Sequence, residues 1–456
     1  MAPQGQGFAQ ITERERGLQP RLRSAQLSMI AIGGAIGTGL FLGSAFAIGL
    51  AGPAVLVSYL VGALIALLLM GCLAEMSLAH PTSGSFGAYA EYYLGPLAGF
   101  LVRYAYWTCI VLAVGTEVTA IAVYMDFWFP AVPGWTWVLL FPGLLVAVNT
   151  LNVGVFGFIE YWFSAVKVGA ILAFIALGGF VLWQRAHAAA AAAPLANFTA
   201  YGGFFPHGLW GAWVAVIVAV FSYLSIEMIA VAAGEAQDPG RAVRRAFRAT
   251  LLRLVLFYLA SLTLILALVP WVHAGTDTSP FVRVIQELAI PAAAGICNFV
   301  ILVAALSAMN SQLYIATRMM FSLARAAHAP ARFGTLSTGG VPVQALLLSS
   351  LGVAAAAVAS VCAPRSAYLV MVSVSSFGAL FTWLMIFVTH LRFRRLHGSP
   401  PGFRMWGYPA TTIAGALLVA AVLVTTAFTP QFRLTLVFGV PFIALLCAAY
   451  RLRGAR

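Results

Sequence analysis

Four glycines, Gly33, Gly34, Gly37 and Gly39, fall within seven residues of the apolar stretch Met29–Gly43. Glycine inside a helix costs roughly 1 kcal/mol relative to alanine, so this density favours local unwinding. In hydrocarbon, unwound backbone is tolerated where it is buried in protein or lines a polar cavity. Freed N–H groups at such a break can hold an anion such as a carboxylate, aided by the positive end of the helix dipole. Freed carbonyls can hold an ammonium group. One break therefore offers binding to both ends of an amino acid. The competing reading is close helix packing through small residues.

Ionisable residues inside apolar runs are the next chemical signal, because a charge there is costly and is usually functional or paired. Lys167, the only lysine, lies about ten residues into its run, which is ~15 Å deep at 1.5 Å per residue. It is either a buried amine that releases and takes up a proton or a fixed charge that ties helices together in a cation-sized space. Glu117 either touches substrate or a proton path, or hydrogen-bonds to another helix. Phe221–Ala236 carries Ser222, Ser225 and Glu227 in a second apolar run. There Glu227 either contacts substrate or accepts bonds from unwound backbone N–H groups. Glu75 and Glu235 lie near run ends and read as structural or gating residues.

The elements that must position these residues follow from composition. The 456 residues are 62% hydrophobic and 8% charged, with a mean hydropathy of +0.96. Soluble domains are about 25% charged, so this is an all-α integral membrane protein. Apolar runs at roughly 25–50, 53–78, 97–127, 135–155, 158–183, 208–234, 250–272, 290–322, 341–362, 366–391, 409–428 and 432–451 predict twelve spans. Of 24 arginines, twenty lie at the N-terminus, the mouth of the third span, alternate loops and the C-terminal tail. Only Arg185, Arg283, Arg365 and Arg433 lie on the other side. This positive-inside pattern puts both termini in the cytoplasm, and it accounts for the net charge of +13 without a nucleic-acid partner. The alanine run Ala188–Ala193 reads as an external linker, followed by the aromatic, glycine-rich Asn197–Gly208.

The first and sixth runs, the two with unusual interiors, occupy matching places in two five-span halves. Five spans per half makes the halves inverted, with a site at the bilayer midplane between them. The chain then divides into a tail (1–24), a first repeat (25–183), an external loop (184–207), a second repeat (208–391) and two added helices with the C-terminus (392–456). Five scattered cysteines indicate neither disulfides nor a metal site, and no cofactor is called for. All seven histidines fall in loops or at span ends, without a nucleophile beside them, which argues against an enzyme. The absence of a GxxxxGK[ST] loop argues against ATP-driven pumping.

Several stretches in chain order resemble the bacterial amino-acid permeases of the amino acid–polyamine–organocation superfamily, in the branch with aromatic, lysine, proline and GABA permeases. They are Ser28–Ala45, Ala51–Leu60, Leu73–Phe100, Glu160–Leu172, Ala233–Val243, Cys297–Ala324 and Gly340–Ala345. The resemblance implies a LeuT-type inverted-repeat fold with broken first and sixth helices, in the inner membrane, and secondary active uptake of an amino acid. By position it implies that Gly37, Thr38 and Gly39 face the substrate carboxylate. Ala35, with carbonyls near Phe221 and Leu224, would take the ammonium, and Phe221 would gate the site. Lys167 falls on a lysine that replaces a sodium ion in proton-coupled members, so H+ is the expected coupling ion. Where the branch commonly has Gly-Gly-Thr, this chain has Leu224, Ser225 and Ile226, which implies a narrower, more apolar pocket and a neutral substrate. An exchanger on the same fold is the alternative, and a non-transporting sensor a further one. A monomer is compatible with all of these.

Overall fold

In the computed structural model, residues 7–15, 29, 33–151, 153–187, 195–232, 239–275, 279–287, 293–362, 366–398 and 403–454 are described. The alanine run Ala188–Ala193, Glu235, and Arg16, Arg21, Arg23 and Arg365 lie outside them. Among the described residues every regular element is helical. Each of the twelve apolar runs contains helix. Among the described residues seven helices are long and apolar enough to cross a membrane, and four shorter apolar helices accompany them. The chain is a multi-pass membrane protein.

The first run is interrupted. A turn of helix at 33–35 ends in non-helical Ile36 and Gly37, after which α1 (Thr38–Phe41) and α2 (Gly43–Ala51) resume. The chain continues through α3 (Val55–Ala79) and a short α4 (Ser85–Leu94) to α5 (Pro96–Asp126). Helix α5 starts on Pro96, whose fixed φ suits the first helical position. It packs most extensively against the helices at 293–325 and 367–397, and its apolar window is 78% buried, against 17% for the last helix of the chain. The core therefore forms around α5, and the C-terminal helices lie at the edge.

Next come α6 (Gly134–Asn149), α7 (Val153–His187) and α8 (Gly208–Ser222). Tyr223–Glu227 then form successive turns, and helix resumes at α9 (Met228–Ala232). Ser225 sits at φ 75°, a left-handed conformation that favours glycine and that a serine adopts at some cost. The chain finishes with α10 (Pro239–Leu268), α11 (Pro280–Glu287), α12 (Ala293–Arg325), α13 (Val343–Ser349), α14 (Leu351–Cys362), α15 (Ala367–His397), α16 (Ala410–Phe428) and α17 (Leu434–Gly454). Helix α15 stops at Gly398, φ 75°, a glycine in the usual position just beyond a helix end.

Two features differ from expectation. The segment read as a polar tail contains a helix, Phe8–Arg14, folded onto the body, and Glu15 after it is 3% exposed. The basic side chains around Glu15 and the polar backbone of the 82–84 turn supply partners that the tail's own sequence does not reveal. His390, read as lying at a span end, is fully buried inside α15. Its Nε2 is 2.7 Å from Glu75 Oε2, and Arg394 flanks the same carboxylate at 3.3 Å. Glu75 is thus one member of a buried charged cluster that joins α3 to α15.

Candidate functional site

The two breaks face each other. Gly39 is where they touch most closely: a Cβ there would stand 2.8 Å from Ser222 Cα, so only glycine admits this approach of two backbones. Ser222 Oγ donates to Gly39 O at 2.8 Å, and Tyr59 OH lies 2.9 Å from the same hydroxyl. The Tyr258 hydroxyl on α10 is 2.8 Å from both Ala35 O and Ser222 O, one carbonyl from each break. A single phenolic proton serves one carbonyl at a time. The pair therefore keeps acceptor capacity for a cationic donor such as an ammonium group.

On the other side of the first break, the Thr38 N–H donates to Glu117 Oε2 at 3.2 Å, and the Thr38 carbonyl accepts from Tyr368 OH at 3.2 Å. Gly37 accommodates the same carboxylate, since a Cβ there would lie 2.7 Å from Glu117 Oε1. Gln312 Nε2 approaches Glu117 Oε1 at 3.4 Å, and the amide oxygen of Gln312 is buried without a hydrogen-bond partner among the described residues. The Thr38 backbone N–H, expected to face a substrate carboxylate, thus faces one belonging to the protein.

Lys167 is fully buried. Its ammonium donates to Gly33 O and, at 2.9 Å, to Ile36 O. These carbonyls border the break, so the lysine caps peptide groups that the missing helical turn leaves unpaired. At the second break Glu227 Oε1 accepts from Tyr106 OH at 2.6 Å and from the Ser225 N–H at 3.2 Å. The Phe221 carbonyl is engaged locally by the Leu224 N–H at 3.1 Å. Ser222 O is the neighbouring carbonyl that reaches across.

Phe221, Leu224 and Ser225 are 7%, 4% and 0% exposed, so the site is closed on the second-break side. Ser225 Oγ is buried without a partner among the described residues. Gly34 has Ser225 Cβ and Ser311 Cβ each 3.5 Å from the place its own Cβ would take. An apolar cavity of about 260 Å³ lies elsewhere, between α7, α11 and α12, bordered by Phe41, Phe174 and Phe281. It carries none of the polar groups described above.

Ala35, Gly37, Thr38, Gly39, Ser225, Glu117, Lys167 and Glu227 are all disposed around the two breaks. Sequence reasoning missed three partners. Nothing in the local sequence singles out Tyr258 or Gln312. Glu160 is fully buried and carried a usable signal, being an acid seven residues before Lys167 and so on the same helix face.

The family model described as amino acid permease matches residues 26–450. A putative histidine permease of Bacillus subtilis is 39% identical, with 96% of this chain and 94% of that protein covered. The aromatic amino acid transport protein AroP of Escherichia coli is 37% identical, with 91% of each covered. The solved manganese transporter of Eremococcus coleocola, a LeuT-fold protein, shares 15% identity at a TM-score of 0.56 over 98% of this chain and 95% of its own, a likeness of fold. Near-full-length matches of this strength, on a helical membrane fold with two facing breaks, make this chain a member of the amino acid permease family.

Proposed function

We propose that this permease imports a neutral amino acid across the bacterial inner membrane by proton-coupled alternating access. In this reading there are twelve spans, ten of them forming two inverted five-span halves (25–183 and 208–391), with both termini cytoplasmic. The observation that carries it is the convergence of Ala35 O and Ser222 O on one hydroxyl, with Gly39 O on Ser222 beside them. The substrate ammonium joins the carbonyl cluster of Ala35 and Ser222. Its carboxylate takes the amides of Gly37, Thr38 and Gly39, and Phe221, Leu224 and Ser225 close over the side chain.

Two groups couple the proton. The carboxylate of Glu117 competes with the substrate for the Thr38 N–H, so protonating Glu117 frees that donor. Proton and substrate then bind best together, which is a positive coupling between two sites. Lys167 fills the space between carbonyls that a cation would take, which supports H+ over Na+ as the coupling ion. Support for a neutral substrate comes from the apolar Leu224 and Ile226 and from the engagement of Glu227 with Tyr106 and Ser225. The relatives named for histidine and for aromatic amino acids point the same way.

The test is uptake into proteoliposomes. An imposed pH gradient, acid outside, is expected to drive accumulation without internal amino acid. Uptake that needs internal amino acid and ignores the gradient identifies an exchanger instead. A thermal-shift screen against the common amino acids identifies the substrate, since a ligand of the folded state raises its stability.

A further inference from the structure

Glu160 takes no part in the binding scheme above, yet it is fully buried. Oε1 accepts from Ser307 Oγ at 2.5 Å and from Ser164 Oγ at 3.3 Å, and Oε2 accepts from Asn310 Nδ2 at 3.0 Å. Asn149 Nδ2 in turn holds Asn310 Oδ1 at 2.7 Å. Among the described residues the side chains bonded to this acid are neutral, contributed by α7 and α12, with α6 behind them.

Glu160 and Lys167 lie on one face of α7, separated by two turns, about 10 Å along the axis. Both are aimed at Gly33. Lys167 donates to its carbonyl, and a Cβ on Gly33 would fall 2.0 Å from Glu160 Oε1 and 2.3 Å from Ser164 Oγ. The same Ser164 hydroxyl lies 2.9 Å from Met29 O, so its single proton serves either that carbonyl or the Glu160 carboxylate at one time. The first half of the broken run is therefore tied to α7 by a hydroxyl and an amine, Ser164 and Lys167, with the Glu160 carboxylate packed against Gly33 beside them.

Lys167 is on the same helix as Glu160, with Glu117 of α5 beyond the lysine. Helix α12 presents Ser307, Asn310 and Ser311, α6 presents Asn149, and the first run presents backbone. Toward the helix start, Phe156 stacks on Tyr314, and the Arg318 guanidinium lies 3.8 Å over that ring.

We propose that Glu160 is the proton acceptor for Lys167 on the cytoplasmic side of the site. This rests on the proton-coupled reading above. When the first half of the broken run leaves α7, the Lys167 ammonium loses the carbonyls of Gly33 and Ile36. Ser164, one turn from each, takes a proton from the ammonium as it passes its own to the Glu160 carboxylate, leaving a neutral amine and a neutral acid. The acid then gives that proton to water on the cytoplasmic side and is restored as a carboxylate. Glu160 therefore sets the direction of proton release without touching substrate.

The experiment compares wild type, Glu160→Gln and Glu160→Asp in proteoliposomes, with a radiolabelled mixture of the common amino acids as probe. Two rates are read: accumulation driven by a pH gradient, and counterflow at equal pH, which needs no net proton movement. Glu160→Gln is expected to lose gradient-driven accumulation by about tenfold or more, as for removal of a proton-transfer group, while counterflow stays near wild type. Glu160→Asp is expected to restore part of the accumulation. Accumulation at the wild-type level by Glu160→Gln overturns the proposal. So does an equal fall in both rates, which would make Glu160 a purely structural tie. If Glu160→Gln shows no cooperative melting, Ser164→Ala carries the same pair of measurements, and an equal effect on both rates again overturns it. Wild type that performs counterflow without gradient-driven accumulation removes the underlying proton-coupled reading, and that outcome is read in a separate arm.

Discussion

Glu15 and Ser322 are 307 positions apart in the chain, and the Ser322 hydroxyl donates to the Glu15 carboxylate at 2.7 Å. The same carboxylate accepts from Thr82 Oγ1 at 2.7 Å, from the Gly84 N–H at 2.8 Å and from Arg103 at 3.2 Å. Arg325 holds Arg14 O at 2.8 Å, and Phe8 stacks on His80 at 4.0 Å between ring centroids. One acid at the end of a seven-residue helix thus ties the turn before α4 to α5 and α12. Glu15→Ala leaves the buried Arg103 with one carboxylate fewer, at a cost of about 3 kcal/mol. A lower melting temperature and faster tryptic cleavage around Arg14 are expected. Unchanged melting and cleavage would mean that Glu15 is not the tie.

The neighbouring acid makes a prediction about pH. Burial alone would raise the Glu91 carboxyl, but bonds from Arg14 and Arg103 (2.7 Å) hold it down at about 2, against an ordinary 4.5. Between those values the unfolded chain binds the extra proton, so stability falls as pH falls through this window and is fully present above it. Burial also lowers His80 and His328 to about 4, which makes acid destabilising from an ordinary 6.5 downward. Melting temperature measured against pH is expected to drop in both windows. Glu91→Gln should flatten the lower one alone.

Parts of this site are legible in the sequence because their cost is local. Glycine density announces the first break, and a lone lysine in an apolar run announces itself as something other than packing. The second break is harder to see, since Ser225 holds a left-handed conformation that its residue type does not advertise. Glu15 is harder still. Its partners lie between 67 and 307 residues away, and only the packed helices bring them together. His390 shows the same limit, because an apparent end-of-span histidine becomes buried once Glu75 is folded against it.

Gly39→Ala tests the closeness of the two breaks. Its methyl group would press on the backbone of Ser222 at 2.8 Å, where no flexible side-chain end can yield. Overpacking of this kind costs about 1–3 kcal/mol. The variant is expected to fold while losing the Ser222–Gly39 bond, and with it the stabilisation that amino acids give in a thermal-shift titration. Undiminished ligand stabilisation would show that the two backbones need not approach for binding.

Lys167→Ala leaves the carbonyls of Gly33 and Ile36 without their donor, at about 1–3 kcal/mol for each buried unpaired group. Some loss of membrane abundance follows from that alone. Uptake driven by a pH gradient should fall much further than abundance, measured by immunoblot of the same membranes. Full gradient-driven transport by the variant would rule out a proton role for this lysine.

Glu117→Gln separates charge from shape. The glutamine oxygen can still accept the Thr38 N–H now held by Glu117 Oε2 at 3.2 Å, so the break keeps its local geometry. What disappears is a negative charge that a substrate carboxylate must displace, together with the group whose protonation would release the amide. In wild type, acidification converts the competitor into a neutral acid, so substrate affinity should strengthen as pH falls. In the variant the competitor is neutral at every pH, so affinity should be nearly constant and close to the wild-type acid limit. Isothermal titration of both proteins across the same pH series decides the matter. Parallel slopes would mean that the pH response arises elsewhere, and that Glu117 merely seats the turn at Gly37.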